Sequence, residues 1–331
     1  MLILTKRDIQ ECFSMKDAIL AAKEASQLYS SGKAVVPLRT NLDVKHFQGQ
    51  SLYMPAVTEG NQNALGVKIV SVYPNNIEKG LPSVPATMVA LDPETGIVSA
   101  ILDGTYLTQL RTAAIQGAAT EELANPDAKI GGLIGTGGQG YQQAIAMMTA
   151  RQLEILNVFD IDFERAKAFA DKLGRDMKGV FGTAIVAVKT AEEAVQDADV
   201  VTTVTTSKVN TFQADWIKEG AHVNGIGAYT PEMLELPMDL LVKANAVVFD
   251  TNDGVLAEAG DIQAPIKTGL LTESDYTGEL GQLLLGHIKG RESGKDITVF
   301  KSVGSAVLDI VTAQLIVEKA KEKGIGTAFQ F

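Results

Sequence analysis

The chain has 331 residues, 46% of them hydrophobic and 21% charged, with a formal net charge of -11. That length allows two ordinary domains, and the composition is that of a folded soluble protein, which argues against disorder and membrane residence. The negative surface repels nucleic acid and anionic membranes, so neither is expected as a partner, and an anionic small substrate would need a local cluster of cations. The opening MLILTKRDIQ meets charge too early for a signal peptide, and no apolar run approaches the ~18 residues that span a bilayer, so a cytoplasmic location is expected. A single cysteine, Cys12, rules out an intrachain disulfide. The three histidines, His46, His222 and His287, are scattered without ligand spacing, so no metal site is expected.

A helix is predicted from Ser14, with Ala18, Leu20, Ala21, Ala25 and Leu28 at helical spacing. The runs PLRTNLDV, QSLYMPAV and ALGVKIVSVYP then read as strands broken by Gly, Asn and Pro. VPATMVALDPETGIVSAILDG reads as a hairpin around Asp92-Pro93-Glu94-Thr95-Gly96, where Pro fixes φ and Gly accepts a positive one. After a long helix in YLTQLRTAAIQGAATEELA the rhythm changes to alternation of short β-branched runs with helices. The strand candidates are KIGGLIG, ILNVFD, TAIVAV, ADVVTTVTT, AHVNGIG, AVVFDT and ITVFKSVG, and their alternation predicts a parallel sheet wound on both faces. A last helix lies in AVLDIVTAQLIVEKAKEKG. The expected organisation is an α+β domain with antiparallel strands over 1–115, completed by a C-terminal helix assigned to 311–331, and a doubly wound α/β domain over 116–310.

KIGGLIGTGGQGYQQAIAMM places Gly135, Gly137 and Gly140 in GxGxxG spacing between a strand and a helix. The first glycine allows the tight turn, the second the approach of a pyrophosphate, and the third close packing of helix on strand. Gly138 and Gln139 complete the turn, and the helix N-terminus offers its amides to phosphate. The next strand ends at Asp160, placed to bond both adenosine ribose hydroxyls and to repel a 2′-phosphate. NAD(H) is favoured, while Arg165 nearby leaves NADP(H) open. Asp162 either shares that role or caps the following helix. Thr203, Val204 and Thr205, in TTVTTS at the end of the fourth strand, either contact the cofactor or serve the sheet.

Three cations stand in otherwise uncharged runs: Arg39 in VVPLRTNL, Lys68 in LGVKIVSV and Arg111 in YLTQLRTAA. An ammonium in the centre of an apolar strand must point to solvent, a partner acid or an anionic ligand. The blocks GLPSVPATMVALDPETG, DGTYLTQLRTAA, IGTGGQGYQQ, VVTTVTTS, GELGQLLLG and TVFKSVGSAVLDI occur in one order across almost the whole chain. Together they resemble the ornithine cyclodeaminase/mu-crystallin family of nucleotide-dependent oxidoreductases. The resemblance implies a homodimer, a substrate and dimerisation domain, and a Rossmann domain for NAD(H) or NADP(H). It also implies that Arg39, Lys68 and Arg111 converge on a substrate carboxylate, with Lys68 beside the reacting carbon, and that Val303-Gly304-Ser305 lies beside the nicotinamide.

Ornithine-deaminating members of the family carry an aspartate where this chain has Tyr229, in HVNGIGAYTPEMLEL, and Leu52 stands where they carry a glutamate. A tyrosine with a reference pKa near ~10 is a poor base at neutral pH and holds no ammonium. The resemblance therefore implies reduction of a preformed cyclic imino acid, Δ1-pyrroline-2-carboxylate or its six-membered analogue, with Tyr229 at the substrate. Glu232 or Glu235 is positioned in sequence to re-supply an acid. Ornithine cyclodeamination, an alanine-dehydrogenase or opine-type reaction and a non-catalytic nucleotide-binding role stand as alternatives.

Overall fold

The computed structural model describes residues 1–330. Two compact units are present: Met1–Arg111 together with the chain from Ser305 onward, and Thr112–Gly304. Both divisions fall a few residues ahead of the expected positions at 115 and 310.

In the first unit, β1 (Leu2–Leu4), β2 (Ala34–Val35), β3 (Thr40–Val44), β4 (Gly49–Thr58), β5 (Ala64–Val72), β6 (Ala86–Leu91) and β7 (Val98–Asp103) form one mixed sheet. Strands β4 to β7 pair antiparallel in sequence order, and β2 and β3 both pair with β4. The β6–β7 turn is the expected hairpin, with Asp92 Oδ1 accepting from the Glu94 and Thr95 amides and Gly96 at φ 72°. The first predicted helix runs Met15–Ser30 and opens on a reciprocal cap between Ser14 and Asp17. Strand β1, too short to announce itself by alternation, joins β7 in parallel.

Alternation along β5 puts Ala64, Gly66, Lys68 and Val70 on its buried face. The C-terminal helix, Ala306–Lys323, packs on β4, β5 and β6 and against the Met15–Ser30 helix. It starts ahead of the expected 311 and stops far short of 331, because Gly324 adopts φ 65° and turns the chain out of helix. Thr327–Ala328 then pairs antiparallel with β1. Phe331, the last residue of the expected helix, lies outside the described residues. Gly66 is required by its neighbours on β6: a Cβ there would stand 2.6 Å from the Val89 carbonyl oxygen and 2.7 Å from the Met88 side chain.

The second unit contains β8 (Ile130–Ile134), β9 (Ile155–Phe159), β10 (Ala184–Ala187), β11 (Val200–Thr203), β12 (His222–Gly225), β13 (Ala246–Phe249), β14 (Gly278–Glu279) and β15 (Thr298–Lys301). Their order is β10-β9-β8-β11-β12-β15-β13-β14, and every pairing is parallel. The α/β architecture read from the sequence is thus present, with two features it did not show: β15 inserts between β12 and β13, and the two-residue β14 adds an edge. The order reverses between β8 and β11, and it is outside the carboxyl ends of strands at such a switch point that open sheets bind ligands. No helix among the described residues is long and apolar enough to cross a membrane.

Gly66→Ala is expected to lower first-unit stability by about 1–3 kcal/mol, the ordinary cost of overpacking against backbone, read as a shifted urea midpoint.

Candidate functional site

Five turns follow the carboxyl ends of β8, β9, β11, β12 and β15, which share one edge of the parallel sheet. After β8 the backbone turns at Gly135, with φ 104° and its N–H bonded to the Phe159 carbonyl at 2.9 Å. A Cβ at Gly135 would stand 2.7 Å from the Val204 carbonyl oxygen, and one at Gly140 the same distance from the Gly135 oxygen. Gly137 and Gly138, by contrast, face open space. The helix Gly140–Ala150 begins at Gln139 with no side chain capping its amides, and the Gln139 Oε1 is buried without a partner among the described residues. Tight packing at the first and third glycines and free approach between them fit a dinucleotide pyrophosphate.

Asp160 follows β9, only 9% exposed. Its Oδ2 accepts from the Thr136 amide and hydroxyl at 3.0 and 2.5 Å, and its Oδ1 from the Asp162 amide at 3.1 Å. Burial pushes its carboxyl up, but these bonds and Arg165, 3.8 Å away, outweigh it and hold the group below its usual range. The acid therefore stays anionic, as ribose recognition without a 2′-phosphate requires. Asp162 accepts from the Glu164 and Arg165 amides and caps the Phe163–Asp176 helix.

Thr203 is fully buried inside β11, its hydroxyl bonded to the Asn224 carbonyl of β12 at 3.5 Å. Val204 and Thr205 leave the sheet, and here a residue not assigned to the cofactor site from sequence takes over. Glu235, 0% exposed, accepts from the Thr205 amide and hydroxyl through Oε1, and from the Gly227 and Ala228 amides through Oε2, at 2.6–2.9 Å. One carboxylate thus ties the turns after β11 and β12 together. Burial pushes its carboxyl up despite the nearby Lys301. Asp261 accepts from the Glu235 and Leu236 amides and pairs with Lys301 at 2.9 Å, all three groups being out of water. Asp250 does the same for the turn after β15, accepting from the Ser302 hydroxyl and the Val303 and Gly304 amides.

Glu235 is consequently no free acid, since both its oxygens are occupied, and Glu232 is exposed. Tyr229 is half-buried against the apolar core of its own unit. His222, locked between Thr298 and Asn224, has its pKa pushed down to about 3 by burial and stays neutral.

In the first unit, Lys68 and Arg111 are brought together by Asp309 of the C-terminal helix. The Lys68 ammonium lies 2.8 and 2.7 Å from the two Asp309 oxygens, and Arg111 Nε donates to Oδ1 at 2.8 Å. Lys68 is 1% exposed, Arg111 5% and Asp309 0%. Burial, then Arg111, hold the Lys68 pKa down to about 7 against the pull of Asp309, and Arg39 also depresses it. Arg39 itself is half-buried just before β3. Two buried cations share one carboxylate, and Arg111 Nη1 has no hydrogen-bond partner among the described residues. Such a cluster is completed by a further anion. Asp309 gives the same sequence signal as Lys68, a charge in an apolar run, and that signal would have found it. Among the described residues no cluster fit to hold a metal is present.

The strand order, the glycine turn and the acid after β9 define a dinucleotide-binding α/β protein. A family model, the ornithine cyclodeaminase/mu-crystallin family, matches residues 1–324, and the chain belongs to that family. It is 37% identical over 331 residues to a Δ1-pyrroline-2-carboxylate reductase of Bacillus cereus, covering 100% of both chains. Among solved structures it is similar to Thermococcus litoralis Δ1-pyrroline-2-carboxylate reductase in complex with NADH and L-proline, with TM-score 0.93 and 40% identity over 99% of this chain and 100% of that one. An archaeal alanine dehydrogenase dimer with bound NAD gives TM-score 0.89 and 34% identity over 100% and 99%.

Glu235→Gln turns an amide donor toward backbone N–H groups. It is expected to cost about 1–3 kcal/mol for each N–H left unpaired, read by urea unfolding, and to weaken NADH binding in a fluorescence titration. Glu232→Gln should change stability by less than about 0.5 kcal/mol.

Proposed function

We propose that the protein reduces a cyclic imino acid, Δ1-pyrroline-2-carboxylate or its six-membered analogue, to the corresponding cyclic L-amino acid, L-proline or L-pipecolate, with NADH. The observation that carries this reading is the buried pair Lys68 and Arg111, which one internal carboxylate leaves in excess of positive charge, with Arg111 Nη1 free to take an anion. A substrate carboxylate fits that deficit, and the Arg111 fork would grip it while Lys68 supplies a compact charge beside the reacting carbon. Arg39, felt electrostatically at Lys68, would add to the attraction for an anion.

Bound NADH supplies a hydride. Gly137 and Gly138 would admit its pyrophosphate and Asp160 its adenosine ribose, with Val204, Thr205, Val303 and Gly304 on the turns that Glu235 and Asp250 hold in place. In the substrate, a C–H bond forms at the imine carbon and the C=N π pair passes to nitrogen, which already carries its proton in the iminium form. No base is required for that step. Deamination of ornithine would need one, and in the loop after β12 the position is Tyr229, with Glu235 consumed by backbone bonds and Glu232 exposed. Similarity to the NADH and L-proline complex supports the same choice, whereas similarity to the alanine dehydrogenase favours pyruvate with ammonia as the competing substrate.

We further infer a homodimer formed through the first unit. Val35, Leu38, Leu42, Phe47, Ile77 and Leu81 are all exposed along residues 35–81, an apolar density that supports this reading. Phe47→Asp should shift the sedimentation coefficient toward the monomer.

The deciding measurement is NADH oxidation by purified protein with each cyclic imino acid, against pyruvate plus ammonia, and ammonia release from ornithine with NAD. Imine reduction is expected to dominate, with NADH preferred to NADPH; proline and ammonia from ornithine at an equal rate would overturn the reading. Lys68→Ala should leave NADH binding intact and lower kcat/KM for the imino acid by about 10- to 100-fold, the loss of one charge-assisted contact. Tyr229→Asp should raise any activity with ornithine.

A further inference from the structure

Both cations of the carboxylate site depend on a residue that never needs to touch substrate. The Asp309 side chain emerges from the buried face of the C-terminal helix. It bridges Lys68 on β5 and Arg111 on the Gly104–Leu123 helix, accepting from Lys68 and from Arg111 Nε. The strand neighbours opposite Lys68 are Met54 on β4 and Met88 on β6, which offer it no charge and no hydrogen bond. The charged groups felt at Lys68 are therefore Asp309, Arg111 and Arg39, two cations against one anion. Without the anion, nothing on this face favours the ammonium over the neutral amine.

We propose that Asp309 is the positioning residue of the carboxylate site: it fixes the Lys68 and Arg111 head groups by bridging them and is the anion set between the two buried cations. This deepens the assignment of Lys68 and Arg111 to the substrate carboxylate and rests on it. The direction of the pH effect follows from the surroundings. Burial and the two guanidinium groups already hold Lys68 down to about 7, and Asp309 is the group opposing them. As pH rises through that value Lys68 loses its proton and the anion loses a contact, so affinity falls on the alkaline side. Removing the Asp309 charge moves that loss to lower pH. A merely structural aspartate would lower stability without moving the limb.

The test follows the Lys68 ε-methylene resonance in lysine-labelled full-length protein, assigned as the signal absent from Lys68→Met, alongside steady-state kinetics over pH. In D309N the Lys68 midpoint is expected to fall by about one pH unit or more. The alkaline limb of kcat/KM for the imino acid should move with it, through KM for the imino acid rather than kcat, with KM for NADH changed less than about twofold. D309E, which keeps the charge one methylene further out, should restore the Lys68 midpoint while raising the imino acid KM by about threefold or more. An unchanged Lys68 midpoint in D309N, or equal losses in kcat and both KM values at every pH, would overturn the proposal. If D309N fails to fold, D309E decides: an unaltered imino acid KM refutes the positioning role. Should the wild type reduce no imino acid while Lys68 moves as expected in D309N, the imino acid assignment fails, and with it the carboxylate-site role of Asp309, while its hold on the Lys68 proton is upheld.

Discussion

Taking an ammonium and a guanidinium out of water costs several kcal/mol per ion in real proteins, and that cost is offset only where a partner charge arrives with good geometry. In the first unit the partner is Asp309, and the arrangement around it follows from the need to deliver one carboxylate between Lys68 and Arg111. Alternation along β5 turns Lys68 inward, on the same face as Gly66, toward the C-terminal helix that packs on β5 and carries Asp309. The cluster holds two cations against one carboxylate and leaves Arg111 Nη1 without a hydrogen-bond partner among the described residues, the balance on which the proposed carboxylate site rests. Stability and recognition are here two readings of the same charge balance.

The second unit uses buried charge differently. Glu235 and Asp250 meet backbone amides and hydroxyls, and through them the chain segments that leave the sheet after β11, β12 and β15 are held without any regular secondary structure. Lys301, which also pairs with Asp261, opposes the cost of burying Glu235. Each of the two acids accepts several hydrogen bonds at once, so three irregular turns are cross-linked through side chains where no regular secondary structure pairs them. A hydride-transfer site needs this, since a displacement of about 1 Å at the reacting centre can cost about 100-fold in rate.

How much of this is legible in the sequence depends on how far the interacting residues lie apart along the chain. The glycine turn, Asp160 and the 92–96 hairpin are local and can be read directly; so can the start of the Met15–Ser30 helix, because Ser14 and Asp17 cap each other within one turn. Lys68 and Asp309 are each conspicuous as a charge in an apolar run, yet their pairing is not, because 241 positions separate them and nothing local links them. Glu235 reads as a possible acid for chemistry and serves the backbone instead, since only the folded turns reveal that four donors converge on it. The insertion of β15 between β12 and β13 and the short strands β1 and β14 are illegible for the same reason: strand neighbours are set by packing, and two or three residues carry no periodicity.

That separation has a consequence for how the protein is made. The first unit is interrupted: strands β1 to β7 precede the whole second unit, while the helix that covers β5 follows it. Arg111 precedes its counter-ion by 198 residues, roughly 10–40 s at ~5–20 residues per second. Throughout that interval the sheet has an uncovered apolar face carrying unpaired cations, so the nascent chain cannot complete its first unit before its second has emerged. Folding of the first unit is thereby tied to a helix that the chain encodes only after the whole of the second unit.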